Sequence, residues 1–249
     1  MDEKTKADIK LLLMGAIEKK LDTHESETEY KPFFQAIFNK SQIATASIIQ
    51  SFYTSFGMSI YEQMAVAIAR SHGFEAERQY VLLGQIDRGT EGLIQKIHAS
   101  LRKGAIADPK AELAAIRKSI KPGTARKDSD SIVDVYLKSR DGNEYFFGIT
   151  TVKPNKEGFE THKRKLLRWI GLRLSQNNGA KVNVATVLPY NPYHPEKYTR
   201  FGSSTLFGRG QFLVQEEFWD FLGGKGTFAE LIDVCREVGD ELREKIDAI

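Results

Sequence analysis

Asp134 is the acid whose surroundings in the sequence could do chemistry. It lies in residues 131–156, SIVDVYLKSRDGNEYFFGITTVKPNK, just ahead of a run of lysines and arginines. A carboxylate can hold a hard cation, and a cluster of cations can hold phosphate. What Asp134 can do depends on which side chains face it.

Residues 132–138 and 144–151 are rich in β-branched and aromatic side chains and are separated by Arg140-Asp141-Gly142, which predicts a β-hairpin. A two-residue turn on Asp141-Gly142 would set Asp134 opposite Ile149 and mix apolar with polar residues on both faces. A three-residue loop with Gly142 in the left-handed region instead pairs Asp134 with Gly148, Tyr136 with Phe146 and Lys138 with Glu144. Val133, Val135, Leu137, Tyr145, Phe147 and Ile149 then share one apolar face, so this second register is the expected one. It brings Asp134, Gly148 and Thr150 together on the other face.

An acid on one strand, facing positions i and i+2 near the end of its partner, resembles the PD-(D/E)xK core of type II restriction endonucleases. In that family the partner strand carries an acid, any residue, then lysine. The resemblance makes Asp134 the first metal acid, with Mg²⁺ polarising the scissile phosphate and activating water. It places the catalytic acid at Gly148 and the lysine at Thr150, and neither residue can supply the missing group. Glu62, on a helix ahead of the strands, is the candidate for the accessory acid such cores sometimes carry; an exposed helical glutamate is the plainer reading.

The elements that must position these residues can be read in order. At 249 residues and 41% hydrophobic content the chain can bury a sizeable core. No apolar run nears the roughly 20 residues of a membrane span, and the acidic N-terminus lacks a secretory core, so a cytoplasmic protein is expected. A lone Cys235 excludes an internal disulfide framework. The formal charge of +3 is uneven. Residues 1–30 hold five lysines against eight acids (net −3), and residues 216–249 hold four cations against ten acids (net −6). Residues 31–215 therefore carry +12, as a phosphate-binding surface requires; a solvated surface with a chance imbalance is the alternative.

Helical periodicity covers 2–20, and Pro32 suits the first turn of a helix to Phe38. Ser41 is the expected N-cap of a helix to Phe52, and Ser59 the start of another to Ser71, ended by Gly73. Residues 77–83 read as a strand or a helical extension, 90–101 and 109–120 as helices, and 121–130 as the most linker-like segment. Pro154 stops the hairpin, and 160–174 resumes as a helix. Between 150 and 173, seven cations (Lys153, Lys156, Lys163, Arg164, Lys165, Arg168 and Arg173) oppose only Glu157 and Glu160. With Asn155 and His162, the first six of these form the expected DNA-backbone contacts, set against a solvated helix face. Residues 181–188 read as a strand buried on both sides, and 212–215 as a short strand. The loop 198–210 offers Arg200, Ser203, Ser204, Thr205 and Arg209 to bases or phosphates. Phe218, Trp219, Phe221 and Leu222 look like anchors, and 227–246 like a closing amphipathic helix. GGKGT at 223–227 lacks the spacing of a P-loop, and His162 and His194 have no partners at metal-ligand spacing.

The expected fold class is α/β (α+β): a restriction-endonuclease-like mixed β-sheet flanked by helices, with a largely helical N-terminal part. The expected divisions are 1–57, a core at 58–215 and a helical region at 216–249. The resemblance covers residues 58–190, and the tail through Trp219 is similar to that of enzymes cutting GGNCC-type sites. It implies double-stranded DNA as substrate, Mg²⁺, a homodimer on a palindromic site and a cognate DNA methyltransferase. With Gly148 and Thr150 in the core positions, weak Mg²⁺ binding and a catalytically inactive chain are expected. Lys153 with Glu157 or Glu160 could replace the lost groups, although strand alternation points Lys153 away from Asp134. The competing reading is a non-catalytic DNA-binding protein or oligomeric scaffold with a purely structural hairpin.

Overall fold

The hairpin forms in the three-residue register. In the computed structural model, which describes residues 1–23, 32–150, 152–200 and 203–247 and the side chains of these except Met58, Ser203 and Ser204, Tyr136 pairs with Phe146 and Lys138 with Glu144. Gly142 takes φ +80°, the left-handed conformation that closes such a loop at no steric cost. The Ser139 N–H donates to the Asn143 carbonyl at the base of the turn.

The chain begins with three helices, α1 (Glu3–Thr23), α2 (Pro32–Ile37) and α3 (Lys40–Ser55). A π-helical turn at Phe56–Ile60 carries α3 directly into α4 (Tyr61–Ser71). Strand β1 (Glu75–Val81) and helices α5 (Arg88–Arg102) and α6 (Pro109–Ser119) precede the hairpin, β2 (Ile132–Lys138) and β3 (Asn143–Ile149). Helix α7 (Lys156–Gln176) then crosses to β4 (Lys181–Leu188). The chain closes with α8 (Ser203–Leu206), β5 (Phe212–Val214), α9 (Glu216–Gly223), α10 (Thr227–Glu241) and α11 (Arg243–Asp247).

The five strands form one mixed sheet in the order β1-β2-β3-β4-β5. The first three run antiparallel, while β3–β4 and β4–β5 are parallel. Helix α7 supplies the long crossover that a parallel β3–β4 pair needs. One face of the sheet, with Val135, Leu137, Phe147 and Val187, is covered by Ile9 and Leu13 of α1, Met64 and Ile68 of α4, Trp219 of α9 and Val234 of α10. The other, with Tyr136, Phe146, Val182 and Val184, is covered by Ile94 of α5, Ile116 of α6 and Leu166, Trp169 and Ile170 of α7. Layers on both sides explain why β4 shows little alternation: its last five residues are all buried.

Four local expectations are corrected. The N-cap of α3 is Asn39, not Ser41: Asn39 and Gln42 form a reciprocal capping box. Ser59 starts no helix, because the π-turn keeps the backbone helical, and its hydroxyl instead meets the Gln63 amide at 2.9 Å. Val133 packs with the α7-side cluster rather than with Val135 and Leu137. Beside it the β1–β2 ladder is broken at Gln79, which sits at φ +51° where the pairing would set it opposite Asp134. Residues 121–130 are no loose linker, since the Trp169 indole N–H donates to the Asp130 carbonyl at 2.7 Å and Gln85 accepts from the Thr124 hydroxyl at 2.8 Å.

Where β1 runs out toward α5, the chain passes close behind α7 at Gly84. A Cβ there would stand 2.3 Å from the Leu172 carbonyl oxygen, inside backbone that cannot yield. Gly84→Ala should therefore cost about 1–3 kcal/mol in a urea titration, lowering the midpoint with little change in slope. Gly15→Ala, in α1 with nothing within 4 Å, should leave stability equal or slightly raised.

Candidate catalytic and DNA-binding site

The regular β2–β3 pairing ends at Val135 with Phe147. One step further, Asp134 turns its carboxylate toward the partner strand, and Oδ2 accepts the Ile149 N–H at 2.7 Å. This bond fixes the acid at the mouth of the fork where the two strands part.

Helix α4 supplies a second acid from the other side. Glu62 is 3% exposed, and its Oε1 accepts the Gln79 amide at 2.7 Å. The left-handed backbone of Gln79 that breaks the ladder accompanies this contact. Arg78 Nε stands 3.9 Å from Glu62 Oε2, too far for a hydrogen bond, and that oxygen is buried without a hydrogen-bond partner. Burial raises the Glu62 pKa; the Gln79 hydrogen bond offsets this, and the negative charge of Asp134 adds to it. Asp134 is raised for the same first reason, opposed by the charge of Lys165 and by the Ile149 N–H. The charge of the strand acid is thus felt at the accessory acid.

Helix α7 closes the site. His162, Lys165 and Trp169 fall at i, i+3 and i+7, on one side of the helix. A Cβ on Gly148 would lie 3.3 Å from Trp169 Cη2 and 3.8 Å from His162 Nδ1. The Lys165 ammonium sits 5.0 Å from the Trp169 ring centroid. Burial, with Lys165 beside it, drives the His162 pKa down to about 4, so the ring is neutral near pH 7. Beside Gly148 in the parallel ladder stands Thr186, fully buried with a hydroxyl lacking any hydrogen-bond partner. Position 148 is thus bordered by an indole, an imidazole and a buried hydroxyl. The Thr150 N–H donates to the Val187 carbonyl, which extends the β4 pairing to that position.

The remaining expected contacts divide sharply. Lys153, Lys156, Arg164 and Arg209 are exposed, and Lys153 lies 5.7 Å from the centre of the Tyr193 ring. Arg200 donates to the Tyr193 hydroxyl at 3.2 Å. Asn155 caps α7 through the Gly158 N–H, and the Thr205 carbonyl accepts the Ala107 N–H. The side chains of Ser203 and Ser204 lie outside the described residues. Lys163 is fully buried between Glu112 at 2.7 Å and Gln211 at 2.6 Å, so its ammonium is already satisfied inside the protein. Arg168 is committed to Asp128 at 2.6 Å, Asp130 at 2.8 Å and Glu91. These two cations brace α7 against its neighbours and do not face solvent as the phosphate-contact reading requires. Glu160 pairs with Arg102 at 2.7 Å and Glu157 is exposed; neither joins Asp134.

Sequence reading passed over Gln79 and Trp169. Nothing in the local pattern marks a left-handed glutamine within a strand, whereas the i, i+3, i+7 spacing on α7 was available. Among the described residues no three histidine, cysteine or acidic side chains stand together. The donor set at the fork is two carboxylates, which suits a hard, largely hydrated cation better than a fully protein-enclosed one.

Comparison with known proteins identifies a family. A family model described as "Type II restriction endonuclease, HinfI" matches residues 1–239. The chain is 26% identical over 226 residues to the type II restriction enzyme HgiCII of Herpetosiphon aurantiacus, covering 86% of this chain and 79% of that protein. It is 25% identical over 236 residues to HgiEI of the same organism, covering 90% and 82%. Similarity to the type II restriction enzyme MjaII of Methanocaldococcus jannaschii is 24% over 211 residues, covering 79% and 55%.

The raised acids carry a stability consequence with a definite sign. A carboxylate whose folded pKa is raised binds its proton more tightly when folded, so stability falls as pH rises from the ordinary carboxylate range, about 4, through the raised value. Asp134→Asn keeps an acceptor for Ile149 and removes the charge. Calorimetry should show its melting temperature above wild type by roughly 2–4 °C at pH 7 and equal to it below pH 4. A lower melting temperature at pH 7 would contradict a destabilising acid pair.

Proposed function

The chain belongs to the HinfI family of type II restriction endonucleases, and on that footing we propose that it is a site-specific double-stranded DNA endonuclease whose hydrolytic step is crippled. Asp134 and Glu62 are the residues that would hold Mg²⁺. The observation that carries this reading is the buried Glu62 oxygen without a hydrogen-bond partner, on an acid whose pKa responds to Asp134.

Magnesium bound there would supply a Lewis acid for the scissile phosphate and a lowered pKa for the attacking water. The chain's own part is to orient the acids. The Ile149 N–H sets Asp134, Gln79 sets Glu62, and Lys165 provides positive charge toward both. Family resemblance assigns the second metal acid and the lysine to Gly148 and Thr150. Losing one acid–base group typically costs about 10²–10⁴-fold, and the missing metal ligand adds to that. DNA binding does not depend on those groups. The exposed Lys153, Lys156, Arg164 and Arg209 are suited to the phosphate backbone, and Arg200, with the 203–205 segment, to bases. A homodimer on a palindromic site and a cognate methyltransferase follow from the same reading. A GGNCC-type target rests on the tail sequence, in which Trp219 is buried with its indole N–H on the Pro189 carbonyl, an anchor and not a base reader.

The test compares wild type with the Gly148→Glu, Thr150→Lys double variant on mixed double-stranded DNA with Mg²⁺. Trp169 must give a few tenths of an ångström to admit a Cβ at 148, while His162 stays at ordinary contact distance. Wild type should bind DNA with a steep salt dependence and leave it intact, while the double variant yields discrete fragments that vanish when Asp134→Asn is added. Vigorous cutting by wild type would overturn the crippled site. Failure of both proteins to bind DNA would overturn the nuclease reading itself.

A further inference from the structure

Residues 32–60 contain a single charged side chain, Lys40, in a chain that is 28% charged. This stretch forms α2, α3 and the π-turn, and no residue of α2 or α3 is buried. Its outward apolar side chains are large: Phe33 is 82% exposed, Ile37 73%, Tyr53 62%, Phe34 59%, Ile49 49% and Phe38 45%. Phe34 and Phe38 stack on each other at 6.3 Å, and Ile49 and Tyr53 lie one turn apart on α3.

None of the 16 residues of α3 is fully buried, although helices in proteins are held mainly by packing of an apolar face. The Asn39–Gln42 capping box fixes where α3 begins but covers none of that face. Large exposed apolar patches mark interaction sites.

We propose that the α2–α3 face is the docking surface for a second copy of this chain. Three observations choose that occupant. With Lys40 its only charge, the face has nothing to offer phosphate and no sign to match in an acidic or basic partner, while like can meet like without repulsion. Counting about 200 Å² for a whole aromatic side chain, the six exposed groups offer on the order of 700 Å² per copy. Two copies would bury about 1,400 Å², within the roughly 1,200–2,000 Å² of a stable interface. Finally, α3 runs without a break through the π-turn into α4, so the face is mechanically continuous with the helix carrying Glu62. A mate seated there would bring a second Asp134–Glu62 pair into the same particle, one for each DNA strand. The placement rests on the two-strand cleavage proposed above.

The experiment measures mass by light scattering and sedimentation across micromolar concentrations. Wild type should weigh about twice 28.1 kDa, and Phe33→Glu with Ile37→Glu should raise the dimer dissociation constant at least 100-fold. Circular dichroism should show the variant folded, because both side chains are already exposed. Tyr53→Arg, on the other helix, provides an independent disruption. Ile106→Glu, at a residue 79% exposed but away from α2 and α3, should remain dimeric. A dimer that survives both disruptions overturns the placement and leaves the nuclease reading intact, as does loss of the dimer in Ile106→Glu. A wild type that stays monomeric overturns the docking of a second copy, whether or not it binds DNA.

Discussion

Two carboxylates held in one desolvated fork are the constraint on which the rest of this structure turns. Asp134 and Glu62 come from a strand and from a helix on the far side of the chain's first layer, and each is fixed by one hydrogen bond. Keeping them charged costs stability at neutral pH, because burial penalises the charged form of each and the charge of Asp134 adds to that penalty at Glu62. A protein shaped only for packing would replace such a pair with apolar residues. Retaining it makes sense where the acids have something to hold.

The surrounding architecture reads as support for that fork. Helix α7 must lie close enough to set Lys165, His162 and Trp169 over Gly148, and it is clamped there by buried charge. Arg168 ties it to α5 and to the 121–130 segment, and Lys163 ties it to α6 and to Gln211 before β5. Burial pulls the Lys163 pKa down, and Glu112 beside it opposes that shift. Two of the cations that give α7 its basic appearance are thus internal fasteners, and the surface left for phosphate is smaller than the charge count suggests.

Much of this was legible in the sequence. The hairpin register followed from requiring one apolar face, and Gly142 is left-handed as the three-residue loop demands. The order of elements also followed from periodicity and punctuation, and the mixed sheet with helical flanks from the family resemblance. What was hidden depended on tertiary neighbours. Whether Lys163 and Arg168 face water or acids is decided by α5, α6 and the loops around them, not by their own helix. The left-handed Gln79 breaks a ladder that its sequence gives no reason to break, and Val133, on the neighbouring strand, belongs to the other cluster. Glu62 was indistinguishable from an exposed helical glutamate until α4 was placed against β1.

The central claim is that Asp134 and Glu62 form one site for a divalent cation. Its most direct test is a carboxyl-carbon NMR titration of Glu62 and Asp134, with and without saturating Mg²⁺. The account predicts that both acids titrate above the ordinary carboxylate range in the metal-free protein and that Mg²⁺ pulls both titrations down together. Two titrations at ordinary values, unmoved by Mg²⁺, would contradict it.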